Sequence, residues 1–171
     1  FHTDEVRGAK IKSPVELLIG TMRQFNVATP DYPYIRSVAA QIKQEVFSPP
    51  NVSGWNGDKV WINTTTLPSR NIYTDAVING KRPNGEDLTF QLNLVDYAKS
   101  FSSAEDAVQL IADIAKIFLQ FPLSENRKEY LLNTLLDGAA VYDWSTNDPE
   151  AENRLKLFFK ALMRLSEYQL S

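Results

Sequence analysis

Apolar residues return at helical spacing along most of this chain. Val15, Leu18, Ile19 and Met22 recur at intervals of three and four, and Ser13-Pro14-Val15-Glu16 supplies an N-cap, a first-turn proline and a glutamate placed to close a capping box. This predicts a helix from about residue 14 to 24. After the breaker-rich stretch 26–33, Ile35, Val38, Ala39, Ile42 and Val46 fall on one face and predict a second helix ending near Phe47. A third is predicted over 67–79, with Thr66 as cap, Pro68 in its first turn and Gly80 as its stop. Leu88, Phe90, Leu92 and Leu94 alternate with polar residues after the Pro83-Asn84-Gly85 turn, so that stretch reads as extended, and a short helix follows at about 96–99. The last three helices are expected over 103–121, 124–137 and 148–168. Ser103, Ser124 and Asp148 stand at their starts, and Pro122 and Gly138 end the first two. The pattern is that of an all-α helical bundle of six to seven helices.

Residues 48–66 fit neither period. Ser-Pro-Pro-Asn-Val-Ser-Gly-Trp-Asn-Gly-Asp-Lys-Val-Trp-Ile-Asn-Thr-Thr-Thr is dense in turn formers and predicts one long Pro/Trp/Asn-rich structured loop. Loops of that length in a compact domain are either functional or held by their own side chains. Trp55 and Trp61 are the candidate anchors. Asn51, Trp55, Asn56, Asp58, Trp61 and Asn63, with Ser53, are also the best candidates for ligand contact, because indole faces among amides stack on sugars or peptides. Self-packing is the stronger of the two readings.

Composition narrows the function classes. With 171 residues and 43% hydrophobic content, the chain has enough apolar material for a single helical domain over 1–171, divisible into halves 1–80 and 93–171. A formal net charge of -3 provides no electrostatic reason to approach nucleic acid. The most apolar stretch, 107–121, is interrupted by Gln109, Asp113, Lys116 and Gln120, so no membrane span is expected. There is no cysteine, which removes disulfides and thiolate sites, and the only histidine, His2, stands beside the start of the sequence, so neither a serine-histidine triad nor a multi-histidine metal site is expected. The 21 acidic residues would yield a carboxylate pair by chance, so none is assigned a catalytic role, and no glycine-rich phosphate or dinucleotide motif calls for a cofactor. Glu16 and Arg70 are charges embedded among apolar residues at two helix starts, which predicts a structural ion pair between them.

Several segments then resemble a known family. Ile11-Lys12-Ser13-Pro14-Val15-Glu16, Phe47, Pro49-Pro50-Asn51-Val52, Gly54-Trp55, Gly57, Trp61-Ile62-Asn63 and Arg70 resemble, in order and spacing, the C-terminal portion of the bacterial family called domain of unknown function 1800. The closing Glu167-Tyr168-Gln169-Leu170 is similar to that family's terminal Pro-Glu-Tyr-Gln, with Ser166 in place of the proline. The resemblance implies that this is a C-terminal segment whose partner is the N-terminal half of the same protein. It implies export to the periplasm or beyond, and a neighbouring sulfatase-like protein as a second partner. It carries no catalytic residue. The resulting expectation is a non-catalytic scaffold or binding module. The alternative is part of an enzyme acting on envelope or polysaccharide material, completed by the N-terminal half.

Overall fold

The computed structural model describes residues 8–171. Among them are seven α-helices and no strand, so the all-α class is observed. The helices are α1 (Pro14–Gln24), α2 (Tyr32–Gln41), α3 (Thr66–Asn79), α4 (Leu94–Lys99), α5 (Ala107–Phe118), α6 (Glu125–Leu136) and α7 (Ala151–Arg164), with short 3-10 turns at Asp58–Trp61, Val141–Asp143 and Ser166–Gln169. The chain divides into two compact units. One holds the chain up to Leu92 together with Gln169–Ser171, and the other is Asn93–Tyr168.

In the first unit α1 starts on a complete capping box. The Glu16 N–H donates to Ser13 Oγ at 3.3 Å and the Ser13 N–H donates to Glu16 Oε2 at 2.7 Å. Its buried face is turned slightly from the expected stripe: Leu17, Leu18, Thr21 and Met22 are buried, while Val15 and Ile19 are half-buried. α2 packs against both α1 and α3. It begins earlier than its apolar pattern suggests, because Asp31 accepts the Tyr34 N–H at 3.1 Å and Pro33 sits in the first turn. It also ends earlier, at Gln41 rather than near Phe47. The Lys43 and Gln44 N–H groups donate to the Ala40 and Ala39 carbonyls at 3.1 and 2.8 Å, the double bond of a Schellman motif, with Lys43 left-handed at φ 74°. α1 and α3 end in the same way, on Asn26 at φ 53° and Gly80 at φ 66°. The Tyr73 hydroxyl donates to the Leu18 carbonyl at 2.8 Å and ties α3 to α1. The predicted alternation of 88–94 is visible as burial of Leu88 and Leu94 between exposed neighbours, but the segment pairs with no strand. Residues 10–12 are met by the C-terminal residues: Lys12 N–H donates to the Gln169 carbonyl and Ser171 N–H to the Lys10 carbonyl, both at 2.8 Å.

In the second unit α6 packs against α5 and α7, and α4 packs against α7. The Arg127–Glu167 ion pair at 3.4 Å joins the first turn of α6 to the residues just past α7, so these two neighbours run antiparallel. Phe159 lies at the centre, its ring 5.1 Å from Phe158 and 5.6 Å from Phe118, and each buried aromatic of this kind contributes about 1.5–3 kcal/mol by transfer from water. Trp144 is buried too, and its indole N–H donates to the Ala104 carbonyl at 2.9 Å. α5 starts at Ala107, not 103. Asp106 accepts the Val108 and Gln109 N–H groups at 3.0 Å and displaces Ser103 as cap, while the Ser103 hydroxyl donates to Asp113 at 2.8 Å. Phe121, expected on the core face of that helix, lies beyond its end and is half-buried.

Candidate functional site

The proline-tryptophan loop is built largely from side chains that close on its own backbone. Asn51 accepts the Ser53 N–H at 2.8 Å, an Asx turn, and the Gly54 N–H donates to the Asn51 carbonyl. Asn63 accepts the Thr65 and Thr66 N–H groups at 2.8 and 2.9 Å, and the Thr66 hydroxyl donates to the Trp61 carbonyl at 3.0 Å, so Asn63 and Thr66 together start α3. Trp61 is 4% exposed and anchors the loop. Trp55 is only half-buried, and Asn56 and Ser53 are exposed. Asp58 opens the 3-10 turn that ends in Trp61, and its side chain lies outside the described part.

The candidates therefore separate. Asn51, Asn63 and Trp61 have structural work inside the loop, whereas Trp55, Asn56 and Trp61 meet Pro50, Lys43 and Glu45 around a concavity of about 370 Å³. Phe47, which precedes the lining residue Ser48 in the chain, is 95% exposed and left-handed at φ 66°. A β-carbon in that region is strained, and an aromatic ring there is held out in water rather than drawn into the core. Among the described residues the Lys43 side chain has no ion partner.

Glu16 and Arg70 do not form the expected pair. Glu16 is held by the capping box and by Lys10 at 2.6 Å. Burial pushes its carboxyl up, but the Lys10 ammonium and the Ser13 N–H and hydroxyl outweigh that and hold it below the usual glutamate value. Arg70 is fully buried and donates to Gln169 Oε1 at 3.2 Å and to the Lys12 carbonyl at 2.8 Å. Burial brings its pKa down to about 10, opposed by the Glu16 charge. The two residues feel each other's field without touching. Arg70 instead ties α3 to residue 12 and to the C-terminal residues.

The outer side of α2 was not singled out by sequence reasoning, and it continues the loop's concavity. Tyr32, Pro33, Arg36, Ser37 and Ala40 are exposed along it, and a shallow depression lined by them and Glu45 shares Ala40 and Glu45 with the loop concavity. A further depression of about 420 Å³ shares Pro33 and Ser37 and extends to Ser69, Ile72 and the Arg82-Pro83-Asn84 turn. Arg82 is fixed there by buried Asp31 at 2.9 Å and by Glu86 at 2.9 Å, its guanidinium 5.8 Å from the Tyr34 ring centre. Burial raises the Asp31 carboxyl, but the Arg82 hydrogen bond and the Tyr34 N–H bring it below the usual aspartate value. Burial also raises Tyr34, to about 12, and its hydroxyl and Arg82 Nε have no hydrogen-bond partner among the described residues.

The family model described as "Protein of unknown function (DUF1800)" matches residues 1–170. The chain belongs to the DUF1800 family. No curated protein and no solved structure matches it. The DUF1800 chain has a larger groove in its second unit, about 760 Å³ between α5 and α6, lined by Ile111, Ala115, Leu119, Phe121 and Leu132. The Lys128–Glu125 pair sits on its rim, as does Lys116, which pairs with Asp113. Size alone does not make it the better candidate, since its lining is mainly aliphatic and three of its charged residues, Lys116, Glu125 and Lys128, are already paired. Among the described residues of this DUF1800 member no group of three or more His, Asp or Glu could hold a metal, and His2 lies outside them. No helix is long and apolar enough to cross a membrane. The outer side of α2 has no diagnostic sequence signal, since a tyrosine such as Tyr32 or a lysine such as Lys43 does not mark a site.

Proposed function

We propose that this chain is a non-catalytic binding module of an exported bacterial protein, working through the surface around the proline-tryptophan loop. The observation that carries this reading is the concavity where half-buried Trp55 and exposed Asn56 meet Lys43, which has no ion partner among the described residues, with Phe47, the chain neighbour of lining residue Ser48, nearly fully exposed in left-handed backbone. Exposed apolar groups rimmed by polar ones mark interaction sites, and backbone strain is kept where function compensates it. The buried charges support the same reading, because their contacts are architectural: Asp31 with Arg82, and Arg70 with Gln169 and Lys12. The remainder of the parent protein and a sulfatase-like neighbour are the protein partners that the family resemblance suggests.

Tryptophan fluorescence and calorimetry on this chain and on its longer parent, against a panel of oligosaccharides and peptides, test the proposal. The expected result is a saturable ligand that is not turned over and whose affinity falls with Trp55→Ala or Asn56→Ala while the fold is retained. Turnover of the same ligand by the parent, lost in a variant of this loop, would favour an enzyme completed by the N-terminal half. Binding indifferent to both substitutions would overturn the reading.

A further inference from the structure

We infer that the outer side of α2 extends the loop site into one continuous track for a linear, carboxylate-bearing polysaccharide. The inference rests on the binding reading above and names its ligand class. Three depressions are strung along one helix through shared residues: Pro33 and Ser37 join the first two, Ala40 and Glu45 the second and third. Positions 33, 37 and 40 follow the helical repeat, so the shared residues form one exposed row, about 10 Å long at 1.5 Å per residue, which starts beside Tyr32, is flanked by the Arg82 depression and runs on past the end of α2 into the loop concavity. A track of this shape suits an extended polymer better than a compact metabolite, which prefers an enclosed pocket.

The lining chemistry selects among polymers. Each end has a ring open to solvent, Tyr32 at 63% exposure and Trp55 half-buried, and flat sugar faces stack on such rings. Ser37, Asn56 and Asn84 add hydroxyl and amide groups that pair with sugar hydroxyls. The ionic groups decide the charge of the ligand. Arg36 is neutralised by Glu45 at 3.5 Å and Arg82 by Asp31 and Glu86, which leaves Lys43 as the one lining cation without a partner among the described residues. A compact ammonium beside an indole and an amide fits a carboxylate carried on a sugar ring. A peptide that binds by adding a strand finds no sheet edge to extend among the described residues of this unit.

The experiment uses the full chain and polygalacturonate, with dextran as the neutral polysaccharide and polyglutamate as the acidic peptide. Polygalacturonate should bind, with dextran and polyglutamate each at least about tenfold weaker. Lys43→Gln should weaken it about tenfold at low ionic strength, and the difference should shrink at high salt. Tyr32→Ala should weaken long oligogalacturonates about three- to tenfold and leave a trisaccharide unaffected, because only a long chain reaches both rings. Both substitutions are at exposed positions, so circular dichroism should report an unchanged fold. Equal binding of polyglutamate would overturn the sugar assignment, and equal binding of dextran the carboxylate. Ligands that respond to Trp55→Ala but not to Tyr32→Ala at any length would overturn the track and leave the loop site standing. No response to any of the three would remove both.

Discussion

The Arg70 guanidinium donates to the Gln169 side-chain oxygen at 3.2 Å, a contact between residues 99 positions apart, and its other terminal nitrogen donates to the Lys12 carbonyl at 2.8 Å. A fully buried cation is thus held at its two terminal nitrogens by neutral acceptors, while its Nε has no hydrogen-bond partner among the described residues and Glu16 acts on it only through space. Neutral acceptors hold a charge without the geometric demands of a carboxylate, and here they gather residue 12 and the C-terminal residues around one side chain.

The first prediction concerns that arrangement. Arg70→Met should cost about 2 kcal/mol, since it loses two hydrogen bonds to buried acceptors while the aliphatic stem is kept. Glu16→Gln should cost about 1 kcal/mol or less, as befits an exposed cap. Because the two side chains do not bond, the double variant should be additive to within about 0.5 kcal/mol in urea denaturation. A coupling of about 2 kcal/mol or more would restore a direct ion pair.

Trp61 and Trp55 should part company on truncation. Trp61→Ala removes a ring that is 4% exposed and should cost about 3–5 kcal/mol. Trp55→Ala removes a half-buried ring at the concavity and should cost about 1 kcal/mol while abolishing the ligand response. Thermal melts of the two variants check this, and equal losses would contradict the division into anchor and contact residue.

Gly80 ends α3 in left-handed backbone, and a β-carbon there would fall 1.9 Å from Gln91 Oε1. Gly80→Ala should cost about 2 kcal/mol: roughly 1 for the backbone and the rest for expelling Gln91, whose Nε2 donates to the Gly80 carbonyl at 2.9 Å. With Gln91→Ala already in place the same change should cost only the backbone part, about 1 kcal/mol. Equal costs in the two backgrounds would show that Gln91 swings aside freely.

Lys12 predicts a pH dependence. Burial, with the Arg70 charge adding to it and Glu16 opposing it, brings its ammonium from 10.5 down to about 8. Between pH 8 and 10.5 the unfolded chain keeps the proton and the folded chain has released it. The unfolded state binds more protons there, so stability rises with pH through that window. The charged form costs up to about 3 kcal/mol below pH 8, and Lys12→Met should remove the dependence. Denaturation midpoints of the two proteins should therefore converge between pH 7 and 10, and a constant difference would show that Lys12 stays charged when folded.

Helix ends show how far the chain could be read. Gly80 announces the end of α3 because glycine alone adopts left-handed backbone at no steric cost. Lys43 ends α2 with the same hydrogen bonds and the same sign of φ, yet nothing in its residue type signals it, and the apolar pattern runs on to Val46. At α5 Asp106 caps in place of Ser103, whose hydroxyl is taken by Asp113 within the same helix, and at α2 the capping Asp31 is also held by Arg82 from 51 positions away.

The candidate site divides on the same line. That the loop is long, structured and anchored by tryptophan follows from local composition, because turn formers and large apolar rings act within a few residues of themselves. Which tryptophan is buried, whether Arg70 meets Glu16 or Gln169, and that the outer side of α2 continues the loop's concavity depend on where separate helices lie. The all-α class, the capping box of α1 and the identity of the loop belong to the sequence alone, since periodicity and capping are properties of adjacent residues. The partners of buried charges and the surface left open for a ligand belong to the tertiary structure, since burial is set by packing between segments as far apart in the chain as Lys12 and Gln169.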